Sequence, residues 1–122
     1  MIQKPGDFVV IKGYQTPYPD SILFKEGERV IIGETFQDDP DWVDWIWCAG
    51  ESENRAWVPK QYIQLTSGEW RLSRDYDAKE LSINIGEILA VDQIINGFGM
   101  AVKSDSTKGW VPLKNLQWVD GA

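Results

Sequence analysis

A chain of 122 residues with 43% hydrophobic and 25% charged side chains lies in the ordinary globular range, which excludes a disordered or low-complexity polypeptide. Its 12 basic and 19 acidic side chains give a net charge of −7, so a nucleic-acid backbone would be repelled and is not an expected partner. Because no apolar run approaches the roughly 20 residues of a membrane span, no membrane partner is expected either.

The compartment is predicted from the first residues and from the cysteine content. The segment Met1–Asp7 lacks the apolar stretch of a secretory signal. Cys48 is the single cysteine, which excludes an internal disulfide and is compatible with a reducing compartment. We therefore expect a soluble cytoplasmic protein.

Short segments rich in β-branched and aromatic residues, bounded by Gly, Pro, Asp or Asn, predict β-strands along the whole chain. In chain order they include Phe8–Ile11, Arg29–Ile32, Trp45–Cys48, Ile88–Val91 and Gly99–Val102. No segment keeps a 3.6-residue apolar period over three turns, so helices are not expected. Many short strands with tight turns are typical of a barrel or a sandwich.

The sequence also repeats itself. Trp57-Val58-Pro59 reappears 53 positions later as Trp110-Val111-Pro112, and Trp45 falls on Phe98 at the same offset. Upstream, Ile22–Glu28 matches Leu81–Glu87 at an offset of 59. An internal repeat of this size indicates that one folding unit is present twice.

The segment Thr66-Ser67-Gly68-Glu69, between the two repeats, has the small, polar, glycine-containing character of a linker. It predicts two domains, residues 1–66 and 67–122. A connection this short keeps the domains near each other, because four extended residues span at most about 14 Å. Domain one carries the larger net charge, −5 against −2, and is therefore the more suitable site for a cationic ligand.

Four blocks of each repeat resemble, in order, the motifs of Src-homology-3 (SH3) domains, which are ALYDY, ELSF-x-x-GD, WW-x-G and a final G-(Y/W)-(V/I)-P-x-N-Y-V. In the first repeat the blocks are Val10–Tyr14, Ile22–Glu28, Trp45–Cys48 and Ala56–Ile63. In the second repeat they are Leu72–Ala78, Glu80–Glu87, Phe98–Ala101 and Gly109–Leu116. The resemblance, closest to variant prokaryotic SH3 domains, implies an all-β protein of two consecutive SH3-like five-stranded β-barrels packed close together.

SH3 domains bind peptides in a shallow groove of aromatic side chains, which accept a preformed polyproline helix at small entropic cost. The resemblance places Tyr14, Trp45, Pro59 and Tyr62 in the groove of domain one, with Lys12 where the family has its first tyrosine. It implies that domain one binds an extended, proline-containing and basic segment of a protein or peptide ligand.

The corresponding groove of domain two is degraded. Its residues are Tyr76, Phe98 and Pro112, while Arg74 and Asn115 replace two of the tyrosines. The resemblance therefore implies that domain two acts mainly through packing.

An acidic segment, residues 38–44, corresponds to the SH3 loop beside the groove. Asp41 and Asp44 of this segment, and Asp20 on the opposite loop, are candidates to meet an arginine or lysine of the ligand. A solvated charged loop is the alternative. A calcium site is not favoured, because the spacing departs from the D-x-[DN]-x-[DN]-G pattern.

Each aromatic side chain has a second interpretation as part of the core. The strand positions of Trp57, Trp110, Ile46 and Cys48 favour the core. For Trp45 and Tyr62 the groove and burial between the domains both stay open.

No enzyme is expected. The chain has no histidine, which removes the commonest general base and the Ser-His and Cys-His arrangements. One cysteine without histidine leaves only carboxylates as metal ligands, so we predict neither a metal nor a cofactor. A pair of catalytic carboxylates would need a deep cleft, which a barrel of this size rarely provides.

The predicted function is thus a non-enzymatic interaction module, present as a monomer or weak homodimer. One alternative is a structural or assembly protein, whose aromatic surfaces form an interface between its domains or between two copies. A cell-wall-binding SH3-like protein and an aromatic cage for methylated side chains are further alternatives.

Overall fold

The computed structural model describes residues 6–35 and 44–119 of the chain. Within them the chain forms β1 (Gly6–Val10), β2 (Leu23–Phe24), β3 (Ile31–Thr35), β4 (Trp45–Ala49), β5 (Arg55–Pro59), β6 (Ile63–Thr66), β7 (Glu69–Leu72), β8 (Tyr76–Asp77), β9 (Ile88–Ile95), β10 (Phe98–Val102), β11 (Lys108–Pro112) and β12 (Leu116–Trp118). Two 3-10 helices, Lys60–Tyr62 and Leu113–Asn115, follow β5 and β11. The prediction of an all-β protein is confirmed. Over these residues no helix has the length and apolarity that crossing a membrane requires.

The chain divides into two compact units, whose bounds differ from the predicted division at residues 66 and 67. The discontinuous unit comprises Met1–Asp20 and Lys79–Ala122, and the continuous unit comprises Ser21–Ala78. Each unit therefore contains strands from both sequence repeats.

The discontinuous unit holds one antiparallel sheet in the order β11-β10-β9-β1-β12. Strand β1 lies between two strands of the second repeat, with Val9 opposite Ile88 of β9 and opposite Gln117 of β12. Alternation along each strand directs one set of side chains into the core. The core consists of Phe8, Val10, Leu81, Ile83, Leu89, Val91, Ala101, Val111 and Leu116.

The continuous unit holds three small antiparallel sheets, in the orders β3-β4-β5, β6-β7 and β2-β8. An isolated bridge between Arg29 and Arg71, and a hydrogen bond from the Val30 amide to the Trp70 carbonyl at 2.9 Å, join β7 to the residues just before β3. Strand β7, from the second repeat, thus pairs with residues of the first repeat. Strand β1, from the first repeat, pairs in the same way with strands of the second repeat.

The same backbone contact recurs in the two units. The Val10 amide donates to the Glu87 carbonyl at 2.9 Å in the discontinuous unit, and the Leu72 amide donates to the Glu28 carbonyl at 2.9 Å in the continuous unit. The glycine before each glutamate donates back to the same strand residue, at 2.9 and 2.7 Å respectively. In each unit the Gly-Glu turn of one half of the chain therefore pairs with a strand of the other half.

The predicted linker forms a hairpin turn. Thr66 pairs with Glu69 at the end of the β6-β7 ladder, which leaves Ser67 and Gly68 as a two-residue loop. Their φ angles are 52° and 79°, and positive φ at both central positions defines the type I′ turn that suits the twist of a hairpin. Consequently β6 of the first repeat and β7 of the second lie side by side within the continuous unit.

Candidate functional site

Three of the four groove residues predicted for domain one lie together in the continuous unit. Trp45 and Pro59 are cross-strand partners in the β4-β5 ladder, and Tyr62 lies in the 3-10 helix that follows β5. Tyr76, predicted for the other groove, lies in the same unit, with its ring 5.6 Å from that of Tyr62 in an edge-on arrangement. Tyr14 belongs to the discontinuous unit. The structure therefore regroups the two predicted grooves, because each unit combines both repeats.

The regrouped aromatic side chains are buried. Trp45 and Tyr62 are each 3% exposed, and Tyr76 is also buried. The Tyr76 hydroxyl donates a hydrogen bond of 2.7 Å to the Trp57 carbonyl, which satisfies its polar end. These rings therefore form the interior of the continuous unit in this structure.

Arg74 covers part of this cluster from the outside. Its guanidinium carbon lies 4.4 Å from the centre of the Tyr62 ring, within the range of a cation–π contact. Arg74, which stands where the SH3 motif of the second repeat has a groove tyrosine, thus contacts Tyr62 of the first repeat.

An open depression of about 300 Å³ lies along the paired strands β2 and β8 of the continuous unit. Its lining consists of Leu23, Phe24, Lys25, Asp75, Tyr76 and Asp77. Leu23 is 63% exposed, whereas Phe24 and Tyr76 are buried, with ring centres 6.2 Å apart and ring planes tilted by 37°. The depression therefore combines an apolar floor with charged edges.

The two carboxylates of this depression are held by hydrogen bonds. Asp75 Oδ1 accepts the Glu26 amide at 2.8 Å. Asp77 Oδ1 accepts the Ile22 amide at 3.2 Å, and its Oδ2 accepts the Ser21 hydroxyl at 2.9 Å. A carboxylate has about four acceptor positions, so Asp75, with one hydrogen bond to a backbone amide, keeps acceptor capacity for a cationic group.

The continuous unit is also the acidic part of the chain. Ser21–Ala78 carries six basic and twelve acidic side chains, a net charge of −6, whereas the discontinuous unit has a net charge of −1. A cationic ligand is therefore attracted to the unit that holds the depression.

The three acidic residues predicted from the sequence have different surroundings. Asp44 Oδ1 forms an ion pair with Lys60 Nζ at 2.9 Å, so the charge of Asp44 already has a partner. Asp20 is exposed in the discontinuous unit. Asp41 lies outside the described residues.

Sequence reasoning missed Asp75, Asp77 and Leu23 as candidate site residues. Asp75 and Asp77 flank Tyr76 in the block that matches ALYDY, but that block was assigned to the degraded groove. The signal is present in the sequence, but in the structure this block belongs to the continuous unit, where β8 pairs with β2.

In the discontinuous unit Tyr14 is bound to a buried carboxylate. The Tyr14 hydroxyl donates to Glu80 Oε1 at 2.7 Å, and the Thr16 hydroxyl donates to the same oxygen at 2.6 Å. Burial raises the pKa of Glu80 above its usual range, although both hydrogen bonds act in the opposite direction. Burial and the neighbouring carboxylate also raise the pKa of Tyr14. The cluster fixes Tyr14 as part of the fold.

The remaining predicted residues of the second groove are buried in the same unit. Phe98 and Pro112 are cross-strand partners in the β10-β11 ladder. The Asn115 side-chain amide donates to the carbonyls of Lys12 and Gly13, at 3.0 and 3.1 Å. Asn115 therefore ties the end of β1 to the segment before β12.

The residues assigned to the core divide into two pairs. Trp110 and Cys48 are buried, whereas Trp57 and Ile46 are partly exposed. Burial raises the pKa of the Cys48 thiol to about 12, so the thiol keeps its proton at neutral pH and is a poor nucleophile.

Fold and site together define an all-β protein of small antiparallel sheets with an open acidic depression on one unit. The sequence matches no family model, and no curated protein is significantly similar to it. The relationship to SH3 domains therefore stays a prediction that depends on the motifs.

Proposed function

We propose that this protein is a non-enzymatic interaction module that binds an extended, basic, proline-containing peptide segment. The ligand lies along the acidic depression of the continuous unit. The observation that carries the proposal is the combination of exposed Leu23 with the carboxylates of Asp75 and Asp77 in one open depression.

The chemistry of the depression selects the ligand. A basic side chain gains charge-assisted hydrogen bonds from the carboxylates. Proline rings pack on the apolar floor, and a polyproline segment loses little conformational entropy on binding because it is already extended. Tyr62 packs edge-on against Tyr76 of the floor, with ring centres 5.6 Å apart. Trp45 and Tyr62 are buried, so we assign both a structural role.

We further propose that each unit is an SH3-like barrel with an exchanged first strand. Support comes from the four ordered motif blocks of each repeat and from the backbone hydrogen bonds that recur in both units. The ligand class is the one that this resemblance implies.

The test is a titration of the full chain with a proline-rich peptide that contains arginines, monitored by calorimetry. We expect a dissociation constant on the order of 10 to 100 µM. Asp75→Asn keeps the acceptor for the Glu26 amide and removes the charge, so affinity should fall by about three- to tenfold. Raising the salt concentration should weaken binding of the unmodified chain in the same direction.

Glu53→Gln is the matched control, because it removes one negative charge from an exposed turn of the same unit. Its affinity should equal that of the unmodified chain within about twofold. No saturable binding of the peptide, or equal loss in the two variants, would contradict the proposal.

A further inference from the structure

Both compact units depend on contacts between the two halves of the chain, residues 1–66 and 67–122. In the discontinuous unit β1 pairs with β9 and β12, and in the continuous unit β2 pairs with β8 and β6 pairs with β7. The hydrogen bond from the Tyr14 hydroxyl to Glu80 is a further link between the halves. Each half therefore has an extended surface that fits the other half, and a second copy of the chain carries the same surfaces.

The two halves are joined through one tight turn. Strand β6 ends at Thr66 and β7 begins at Glu69, so Ser67 and Gly68 form the connection. Both residues are exposed, and a Cβ added to Gly68 would meet no atom within 4 Å. The chain can therefore leave the tip of this hairpin in another direction without displacing core side chains.

The sequence of this turn suits its backbone poorly. Ser67 has a φ of 52°, and type I′ turns usually place Asn, Asp or Gly at such a position. The turn between β9 and β10 is an internal comparison, because Asn96 and Gly97 have similar φ angles of 48° and 83° and form the favoured Asn-Gly sequence. Serine in the left-handed region costs free energy, which is recovered when the turn opens. Short, strained hinge loops favour the exchange of segments between copies of a chain.

We infer that two copies of this chain form a swapped dimer, in which residues 1–66 of each copy pair with residues 67–122 of the other. The contacts between the halves are then made as in the single chain, and the Ser67-Gly68 turn opens. The closed chain has the entropic advantage, since the turn holds its own two halves at a high effective concentration. The swapped dimer should therefore form when chains fold together at high concentration. It should persist on dilution, because the return to two closed chains requires unfolding.

The test is refolding of the full chain from urea at about 10 µM and at about 1 mM, with light scattering after size-exclusion chromatography. About 0.5 M salt is included, because each copy has a net charge of −7 and repulsion opposes the dimer. We expect the ratio of dimer to monomer to rise by about tenfold or more between the two refolding concentrations. A chain that stays monomeric at both would overturn the inference. Neither mass nor disulfide connectivity depends on a ligand, so the inference is independent of the proposed peptide site.

Paired cysteines distinguish the swapped dimer from the association of two closed chains. Leu65 and Trp70 lie opposite each other in the β6-β7 ladder and are 59% and 42% exposed. Monomer and dimer fractions of Leu65→Cys/Trp70→Cys are separated under reducing conditions and then treated with oxidised glutathione. The disulfide should form within one chain in the monomer and between chains in the swapped dimer.

Denaturing electrophoresis without reductant reads this difference. The dimer fraction should yield a covalent dimer, and the monomer fraction should yield none. Leu65→Cys alone is the matched control and should yield no covalent dimer from either fraction. The buried Cys48 thiol keeps its proton at neutral pH and does not compete. A dimer fraction that contains only disulfides within single chains would overturn the inference.

Variants of the turn test its role as the hinge. Ser67→Asn creates the favoured Asn-Gly turn and should lower the ratio of dimer to monomer by about three- to tenfold. Gly68→Val places a β-branched side chain at a φ of 79° and should raise the ratio by about tenfold. The matched control is Gly86→Val, because Gly86 has a φ of 94°, equally open surroundings and a turn within the second half. Its ratio should equal that of the unmodified chain.

Two results with these variants would overturn the inference. An equal rise in Gly68→Val and Gly86→Val would assign the dimer to a general loss of stability. A ratio in Ser67→Asn equal to that of the unmodified chain would show that the turn is not the hinge. Ser67→Asn and the paired cysteines keep the inference testable where Gly68→Val does not fold.

Discussion

At the residue scale, Trp45 is a ligand-contact candidate from the sequence, with burial as the alternative, and the structure shows a buried side chain. It is 3% exposed and lies opposite Pro59 in the β4-β5 ladder. Removing a fully buried indole leaves a cavity, so Trp45→Ala should lower the free energy of unfolding by about 3 to 5 kcal/mol. Urea denaturation measures this loss. Trp70→Ala, at a ring that is 42% exposed, is the control and should cost much less.

A binding defect in Trp45→Ala would then have to be separated from the loss of fold. Ligand titration below the unfolding transition makes that separation. Unchanged stability in Trp45→Ala would contradict the burial of this ring, and it would restore the groove assignment.

Glu80 makes stability depend on pH. Folding raises the pKa of this buried carboxyl, so the folded chain holds the proton more tightly than the unfolded chain. The stabilisation is therefore complete below the ordinary pKa of glutamic acid and is lost as the pH rises through the raised value. Each pH unit in that window lowers the free energy of unfolding by at most about 1.4 kcal/mol.

Glu80→Gln keeps an acceptor for the Tyr14 and Thr16 hydroxyls and does not titrate. The free energy of unfolding of Glu80→Gln should therefore increase relative to that of the unmodified chain as the pH rises from about 4 to about 8. Urea denaturation at several pH values measures the difference. Glu53→Gln, at an exposed position, is the control and should run parallel to the unmodified chain, whereas a parallel curve for Glu80→Gln would refute the effect.

At the scale of elements, the strands could be predicted from the sequence but their partners could not. Alternating and continuous apolar segments define β1, β4, β9 and β10 well, because a strand needs only a local pattern. Strand pairing depends on which of several possible partners a strand contacts. Strands β1 and β7 make the same backbone hydrogen bonds to the Gly-Glu turn beside them. A repeated sequence therefore leaves undetermined which half of the chain supplies the partner of each strand.

The same ambiguity explains the boundary that was expected at Thr66–Glu69. Small polar residues with glycine are favoured both in flexible linkers and in tight turns, since each needs backbone freedom. The pairing of Thr66 with Glu69 and the positive φ angles of Ser67 and Gly68 distinguish the turn from the linker. The same pairing decides which residues share the candidate site. Trp45, Pro59 and Tyr62 could be grouped from the motifs, whereas Asp75 and Asp77 could be placed beside Leu23 only from the pairing of β2 with β8.

At the scale of the whole molecule, the pairing of strands from both halves of the chain determines which fragments can fold. Residues 1–66 lack β7 and β8 of the continuous unit, and residues 67–122 lack β1 of the discontinuous unit. A central strand that is missing exposes core side chains and leaves backbone groups of its neighbours without partners. The two halves of the sequence repeat should therefore be unfolded when produced separately.

The fragment Ser21–Ala78 contains every strand of its unit and should fold alone, although a unit of about 60 residues is only marginally stable. Because each half lacks only what the other supplies, mixing 1–66 with 67–122 should restore the chemical-shift dispersion of the intact chain, with the break at the exposed Ser67–Gly68 turn. The measurement is a set of proton–nitrogen spectra of the three fragments and the mixture. Unexchanged domains predict the opposite result, with both halves folded in isolation and 21–78 unfolded, so the fragments decide between the two arrangements.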